Sequence, residues 1–205
     1  MAIPTTNAAQ ELPAVNEILA SVGQAPVTTL DQTNPDVAIA YDTLINVSRE
    51  VQSEGWTFNK EYSYKLSPQA TTEEIAIPNN ILQIELSENQ GRTKEAVRRS
   101  GKLYERVNHT YKWGTAELEF DIVWYLDWID LPRPIQDYIV ARASSIVSSR
   151  IVGDPGQYQM IQQREAYTRA MALEYECNQG NYSYFGPPHG QNFHKPYKPY
   201  RGLNR

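Results

Sequence analysis

Apolar residues near the N-terminus recur at intervals of three and four, the spacing that places them on one face of an α-helix. This first set comprises Leu12, Val15, Leu19 and Val22. Thr6 or Asn7 can cap the helix, although Pro13 disfavours a helix interior and favours a start near Leu12. Gly23 fits the left-handed residue that follows a helix. The pattern therefore predicts a first helix that ends just before Gly23.

A second amphipathic helix is predicted from Asn34 to about Gly55. Asn34 is a favourable N-cap, and Pro35 fits the first helical position because it has no N–H to leave unpaired. Asp36 complements the helix dipole there. One side of this helix carries Val37, Tyr41, Leu44, Ser48 and Val51.

The apolar period changes from helical to two after Gly55, as is typical of β-strands. The stretch AELEFDIVWYLDWI is the clearest case. Its apolar parity comprises Leu118, Phe120, Ile122, Trp124, Leu126 and Trp128. EEIAIPNNILQIELS adds two short strand candidates around a turn at residues 78–80. This block predicts an antiparallel sheet or a small barrel.

The stretch AVRRSGK holds the main basic cluster within the β-rich block, formed by Arg98, Arg99 and Lys102. We interpret it as a polar strand edge, which resists aggregation, with contact to phosphate as the alternative.

Helical spacing returns at Pro134 and continues to Gly153, with a further helix capped by Asp154 and begun by Pro155. This last helix is predicted to run to about Cys177. Its apolar residues occupy two sides, which favours a central position in a helical bundle; the alternative is a helix that contacts two neighbours.

The order of these elements predicts an α+β fold: a four-helix bundle with an inserted antiparallel β-rich domain and an extended C-terminal arm. Residues 6–55 plus 132–177 would form the bundle, residues 56–131 the insertion, and residues 178–205 the arm.

The arm has a composition unlike the rest of the chain. The net charge is −5, yet residues 178–205 hold four basic side chains and no acidic one. Six aromatic rings fall in the last 25 residues without a helical or strand period. We expect the arm to dock on another surface, with its rings as anchors, instead of ending as a disordered terminus. The expected contact residues are Tyr182, Tyr184, Phe185, Phe193, Lys195, Tyr197, Lys198, Tyr200 and Arg201.

Side chains that could carry catalysis are present but form no known catalytic or metal-binding motif. The pairs Glu73–Glu74 and Asp127–Asp130 are more typical of solvated faces than of an acid and a base. Zinc needs three or four clustered ligands, which three scattered histidines and Cys177 do not supply. We therefore predict no catalytic residue, no metal, no cofactor and no enzymatic activity.

Two stretches, ELPAVNEILASVGQAPVTTL and VQSEGWTFN, resemble the N-terminal signature of the tail tubular protein A family of short-tailed bacteriophages. GKLYERVN and LPRPIQDYIVARAS follow in the order and at the spacing of that family. The resemblance covers most of residues 8–177, and the arm matches least well.

This resemblance implies a structural adaptor at the neck of the virion, made in the host cytoplasm and without membrane contact. It implies a ring of identical subunits, twelve in the family, that joins the portal protein to the nozzle, tail tubular protein B. Viral DNA would pass through the bore and touch the ring only transiently.

Two other classes of function remain open from the residues. One is a glycan hydrolase acting on host surface polysaccharide, which needs two carboxylates facing each other across a groove. The other is a DNA-binding module that uses the arm, whose duplex binding would depend steeply on salt.

Overall fold

Helices lie at both ends of the described chain and strands lie between them. A computed structural model describes residues 8–87 and 94–180 of the 205-residue chain. Their helices are α1 (Ala8–Ser21), α2 (Pro35–Gln52), α3 (Arg133–Ile151) and α4 (Pro155–Gly180). Their strands are β1 (Lys60–Leu66), β2 (Ile81–Leu86), β3 (Ala96–Arg99), β4 (Lys102–Glu105) and β5 (Leu118–Trp124). The predicted α+β class is confirmed.

Local chemistry explains several of the helix ends, but α1 begins at Ala8 and contains Pro13, so the expected start near Leu12 is wrong. The Asn34 side chain accepts a hydrogen bond of 3.1 Å from the Asp36 amide, as expected of an N-cap. Gly23 has a φ of +76°, so the residue after α1 is left-handed as predicted. Helix α4 extends to Gly180, three residues beyond its predicted end. The caps proposed at Thr6 and Asn7 lie outside the described residues.

Helix α3 forms the centre of the helical core and packs against α1, α2 and α4. Ile135, Tyr138 and Ile139 in α3 are fully buried. Its other buried positions are mostly small: Ala141, Ala143, Ser144, Ser145 and Ser148. Small side chains around a helix let neighbouring helices pack closely on several sides.

The prediction that the last helix is central is therefore wrong. Ala172 is the buried residue that α4 contributes among the described residues, and most of its other positions are exposed. The two-sided pattern misled because half of the apolar residues of α4 face solvent. Whether all four helices form one bundle remains a prediction.

Strand β5 lies in the middle of a three-stranded antiparallel sheet, between β1 and β2. Its inward side chains Leu118, Phe120 and Ile122 share a second hydrophobic cluster with Leu103 and Trp113. Strands β3 and β4 form a separate antiparallel pair. The predicted parity of β5 is thus confirmed for these inward positions.

Two details of the β prediction are wrong. The strand ends at Trp124, and Trp128 begins a short 3-10 turn instead of continuing the alternation. The first half of the candidate pair around residues 78–80 forms a single bridge, from Ala76 to Lys102, and no strand. In the second segment Pro78, which lies two residues after the bridged Ala76, withholds a backbone donor from the ladder.

The sheet joins the helices through two buried amide side chains, Gln52 and Asn59. Gln52 Nε2 donates to the Leu126 carbonyl oxygen at 3.2 Å, and its Oε1 accepts from the Leu126 amide at 2.8 Å. Asn59 Nδ2 donates to the carbonyl oxygens of Gln52 and Trp124, each at 2.9 Å, and its Oδ1 accepts from the Trp56 amide. The end of α2 is thereby fixed to the exit of β5.

We predict that Gln52→Ala lowers the free energy of unfolding by about 2–4 kcal/mol, because it leaves both backbone groups of Leu126 without their partner. Urea denaturation measures this change. Gln32→Ala, at an exposed position, is the matched control and should change stability by less than about 0.5 kcal/mol. Equal effects of the two substitutions would contradict the importance of the junction.

Candidate assembly surfaces

Helix α4 is held to its own subunit by a polar cluster around the Tyr138 hydroxyl. This oxygen accepts hydrogen bonds from Arg142 of α3 at 2.9 Å and from Arg169 of α4 at 2.5 Å. Arg142 also pairs with Glu50 at 2.6 Å, and Arg169 with Glu54 at 3.4 Å. One buried hydroxyl thus connects three helices, α2, α3 and α4, through two guanidinium groups.

The electrostatics of this cluster keep both arginines charged. The hydrogen bond with Tyr138 raises the pKa of Arg169, and the nearby Glu54 carboxylate adds to the effect. Burial lowers the pKa of Arg142, but Tyr138 and Glu50 outweigh it, so the pKa of this arginine is also raised.

The remaining charged contacts of α4 also point toward its own subunit. Arg164 forms an ion pair with Glu17 of α1. The Glu176 carboxylate accepts hydrogen bonds from the Thr57 amide, at 3.0 Å, and from its hydroxyl, at 2.8 Å. The inner face of α4 is therefore bound through charged groups at its start, middle and end.

The outward face of α4 has the opposite character. Met160 and Tyr167 are 73% and 67% exposed, and Met171 and Leu173 are 41% and 44% exposed. The other outward positions carry amide or methyl side chains: Gln159, Gln162, Gln163, Ala166 and Ala170. We call the residues from Gln159 to Leu173 that point outward the outer face of α4. It carries no formal charge as far as Leu173, and the exposed Glu174 bounds it at its C-terminal end, whereas a helix face in contact with water is usually rich in charged residues.

A cleft beside Met160 continues this apolar character onto the neighbouring helices. It has a volume of about 360 Å³ and is lined by Ala20 of α1, Ala141 of α3 and the side chain of Ile161 in α4, among others. The Arg164–Glu17 pair lies at its rim.

The basic cluster on β3 and β4 is largely engaged within the subunit. Arg98 donates to the Ile81 carbonyl oxygen at 2.9 Å, and Lys102 pairs with Glu74 at 2.6 Å. The Arg99 guanidinium lies 4.2 Å from the centre of a tyrosine ring on β4. Strand β3, which carries Arg98 and Arg99, pairs with β4 alone, so the interpretation as a polar strand edge holds for these two residues and not for Lys102, which is bridged to Ala76.

The side chains considered for catalysis are spread over separate elements. Glu74 pairs with Lys102, whereas Asp127 directly precedes the 3-10 turn and Asp130 is its last residue. His109 is exposed in a turn with a φ of +53°, and Cys177 is exposed on α4. Within the described ranges, no three potential metal ligands lie close enough together to hold an ion.

None of the helices in the described part of the chain is long and apolar enough to cross a membrane.

The arm residues predicted to make contacts, from Tyr182 to Arg201, lie outside the described residues. Residues 178–180, the first three of the predicted arm, belong to α4, so that boundary was placed too early because the helix continues to Gly180. The outer face of α4 was missed because its stripe was interpreted as core. The helical spacing of the charged residues could have revealed it. Arg164, Glu165 and Arg169 lie on the same side of the helix as Ala172, which is the side that faces the subunit.

An extensive exposed face without charge is typical of a protein that assembles with others. The family model for tail tubular proteins matches residues 12–182, which is most of the chain. The chain therefore belongs to the tail tubular protein family, and the resemblance drawn from its sequence is confirmed. No curated protein matches the chain. Membership of this family implies a structural role in a phage tail and favours that role over catalysis.

We predict that Tyr138→Phe lowers the free energy of unfolding by about 1–2 kcal/mol, because two partly exposed arginines lose a hydrogen-bond acceptor. Urea denaturation gives the magnitude, and hydrogen exchange should show faster opening of α4. Tyr62→Phe, on an exposed ring of β1, is the control and should have little effect. Unchanged stability and exchange in Tyr138→Phe would contradict the role given to this hydroxyl.

Proposed function

We propose that the chain is the head-to-tail adaptor of a short-tailed phage. Identical copies, twelve in the resemblance, form a ring that joins the portal protein to the nozzle protein and surrounds the path of the viral DNA. The observation that carries this proposal is the family match over residues 12–182, since it establishes a tail protein. The adaptor role within the tail is the finer step and comes from the sequence resemblance.

The charge distribution supports a conduit. Residues 8–55, which include α1 and α2, hold seven acidic side chains and one basic side chain, Arg49. A wall rich in cations would hold DNA by releasing its counterions, whereas an acidic wall repels the phosphates. Such a surface lets DNA pass with transient contact.

The fold supports separate roles for the helices and for the strands within each copy. One hydrophobic cluster is formed mainly by the helices, with Trp56 and Leu131 from the segments that join them to the strands, and a second is formed mainly by the strands. We propose that these correspond to a helical bundle of residues 6–55 plus 132–177 and a β-rich insertion of residues 56–131. A helical wedge can repeat around a ring through a heterologous contact, while the insertion is free to meet a different tail protein.

The arm, residues 178–205, supplies a further contact in this proposal. Its aromatic rings follow no helical or strand period, so the sequence predicts no core within the arm that would bury them. Its cations can contact an acidic surface of an adjacent subunit or of the portal. This contact rests on composition.

A density map of the virion tests the proposed position. We expect a ring of this chain at the neck, between the portal and the nozzle, with the helices and sheet described above fitting its subunit density. Absence of the chain from the neck, or its presence at another site in the tail, would contradict the adaptor role.

Substitution of the six arm rings by serine tests the arm separately. We expect at least a tenfold loss of co-sedimentation with rings of the portal protein, because the aromatic anchors are removed while the folded body is unchanged. Gln191→Ser with Asn192→Ser, which leaves every ring in place, is the matched control. Binding that survives the loss of all six rings would contradict docking through the arm. Strong duplex DNA binding that the substitutions abolish would favour the nucleic-acid alternative.

A further inference from the structure

We infer that the outer face of α4 is the surface through which one copy of the chain contacts a second copy. This inference rests on the proposed ring and names the surface that each subunit would bury in it.

Between Pro155 and Leu173, helix α4 directs its charged side chains toward its own subunit and its uncharged side chains toward solvent. A helix on the surface of a single folded subunit is expected to show the reverse. Between Pro155 and Leu173 its charged side chains are Arg164, Glu165 and Arg169. Arg164 pairs with Glu17 of α1, and Arg169 with Tyr138 and with Glu54, two residues after the end of α2. Glu165 is partly buried, and its carboxylate contributes to the raised pKa of Arg142 in α3. All three are thus used within the subunit.

The side chains that α4 exposes to water form a surface that another protein can cover with a small desolvation cost. Met160 and Tyr167 expose most of their apolar area, and the exposed Ala166 and Ala170 near Tyr167 leave room for a close approach. The glutamines on this face can hydrogen-bond across an interface without bringing a charge into it. Covering the outer face therefore buries no ion without a partner.

The charge distribution of the chain favours a second copy as the protein that covers the outer face of α4. The chain has a net charge of −5, so two copies repel each other wherever their acidic surfaces meet. Asp42 and Glu50 make the outward side of α2 one such surface. The outer face of α4 is free of charge, so identical acidic chains can approach through it without this repulsion. A nucleic acid or a strongly acidic protein would instead be recognised by cations, which this face lacks.

The outer face of α4 is smaller than the surface that one partner contributes to a standard interface, so neighbouring surface of the subunit has to contribute the rest. The outer face runs from Gln159 to Leu173, which is about 22 Å of a helix about 10 Å wide, so it offers on the order of 220 Å². One partner in a standard interface contributes about 800 Å². The cleft beside Met160, with Ala20 and Ala141, extends the apolar surface onto α1 and α3 and supplies part of the difference.

Ala170→Glu tests the inference in the full-length chain. Ala170 is exposed and glutamate is a good helix former, so the fold should be unchanged, but an interface would have to bury the new charge. Light scattering after size exclusion, over a range of concentrations, should give assemblies for the natural chain. We expect the variant to need at least tenfold more protein to reach the same mass. Asn46→Glu, which adds the same charge to the exposed side of α2, is the matched control and should assemble almost as the natural chain does.

Cys177 provides a second readout that needs no change to the natural chain. It is exposed and lies one turn beyond Leu173, next to the outer face. Its rate of reaction with a maleimide should fall severalfold when the natural chain assembles and should stay fast in Ala170→Glu at the same concentration.

The outcomes separate this inference from the proposed function. Natural chain that stays monomeric at every concentration, Ala170→Glu that assembles normally, or Cys177 that reacts equally fast in assemblies would each overturn the α4 contact. The virion map then still decides the adaptor role. Assemblies that stop at a dimer and are lost in Ala170→Glu would support contact through α4 and contradict a ring, since a closed pair leaves no face for a third copy.

Discussion

The structure depends on the junction that Gln52 and Asn59 make between the last turn of α2 and the exit of β5. Both side chains are buried, and each satisfies backbone groups on segments far apart in sequence. A buried amide that loses its partners costs much more than a satisfied one contributes, so this geometry tolerates little displacement. The helices and the sheet have separate hydrophobic clusters, and the junction is what fixes the chain where it passes from one to the other.

Helix α4 is attached to this frame by a different kind of interaction. Helices α1, α2 and α3 bury apolar side chains against one another, whereas α4 adds Ala172 to their core and otherwise relies on Tyr138, Arg169 and further ion pairs. Charged contacts on the inner side leave the uncharged residues outside. The helix is thus suited to be covered from its outer side, which connects its local chemistry to the assembly expected of a tail tubular protein.

The sequence predicted what is determined locally and failed where distant residues decide. The cap at Asn34, the left-handed Gly23 and the inward parity of Phe120 each depend on a few neighbouring residues, and each was confirmed. The placement of β5 between β1 and β2 depends on pairing across long loops, which periodicity does not encode. The burial of α4 was misjudged because an apolar stripe looks the same whether its own chain or another copy covers it. The arm lies outside the described residues, so its contacts remain a prediction.

Oxidation by hydroxyl radicals, measured residue by residue in intact tails and in the isolated chain, tests the central claim that the outer face of α4 is covered on assembly. Met160 and Tyr167 are both readily oxidised and largely exposed in the single subunit. The account predicts that their oxidation falls severalfold in the tail relative to the isolated chain diluted until it is monomeric. Equal oxidation of both residues in the two states would contradict it.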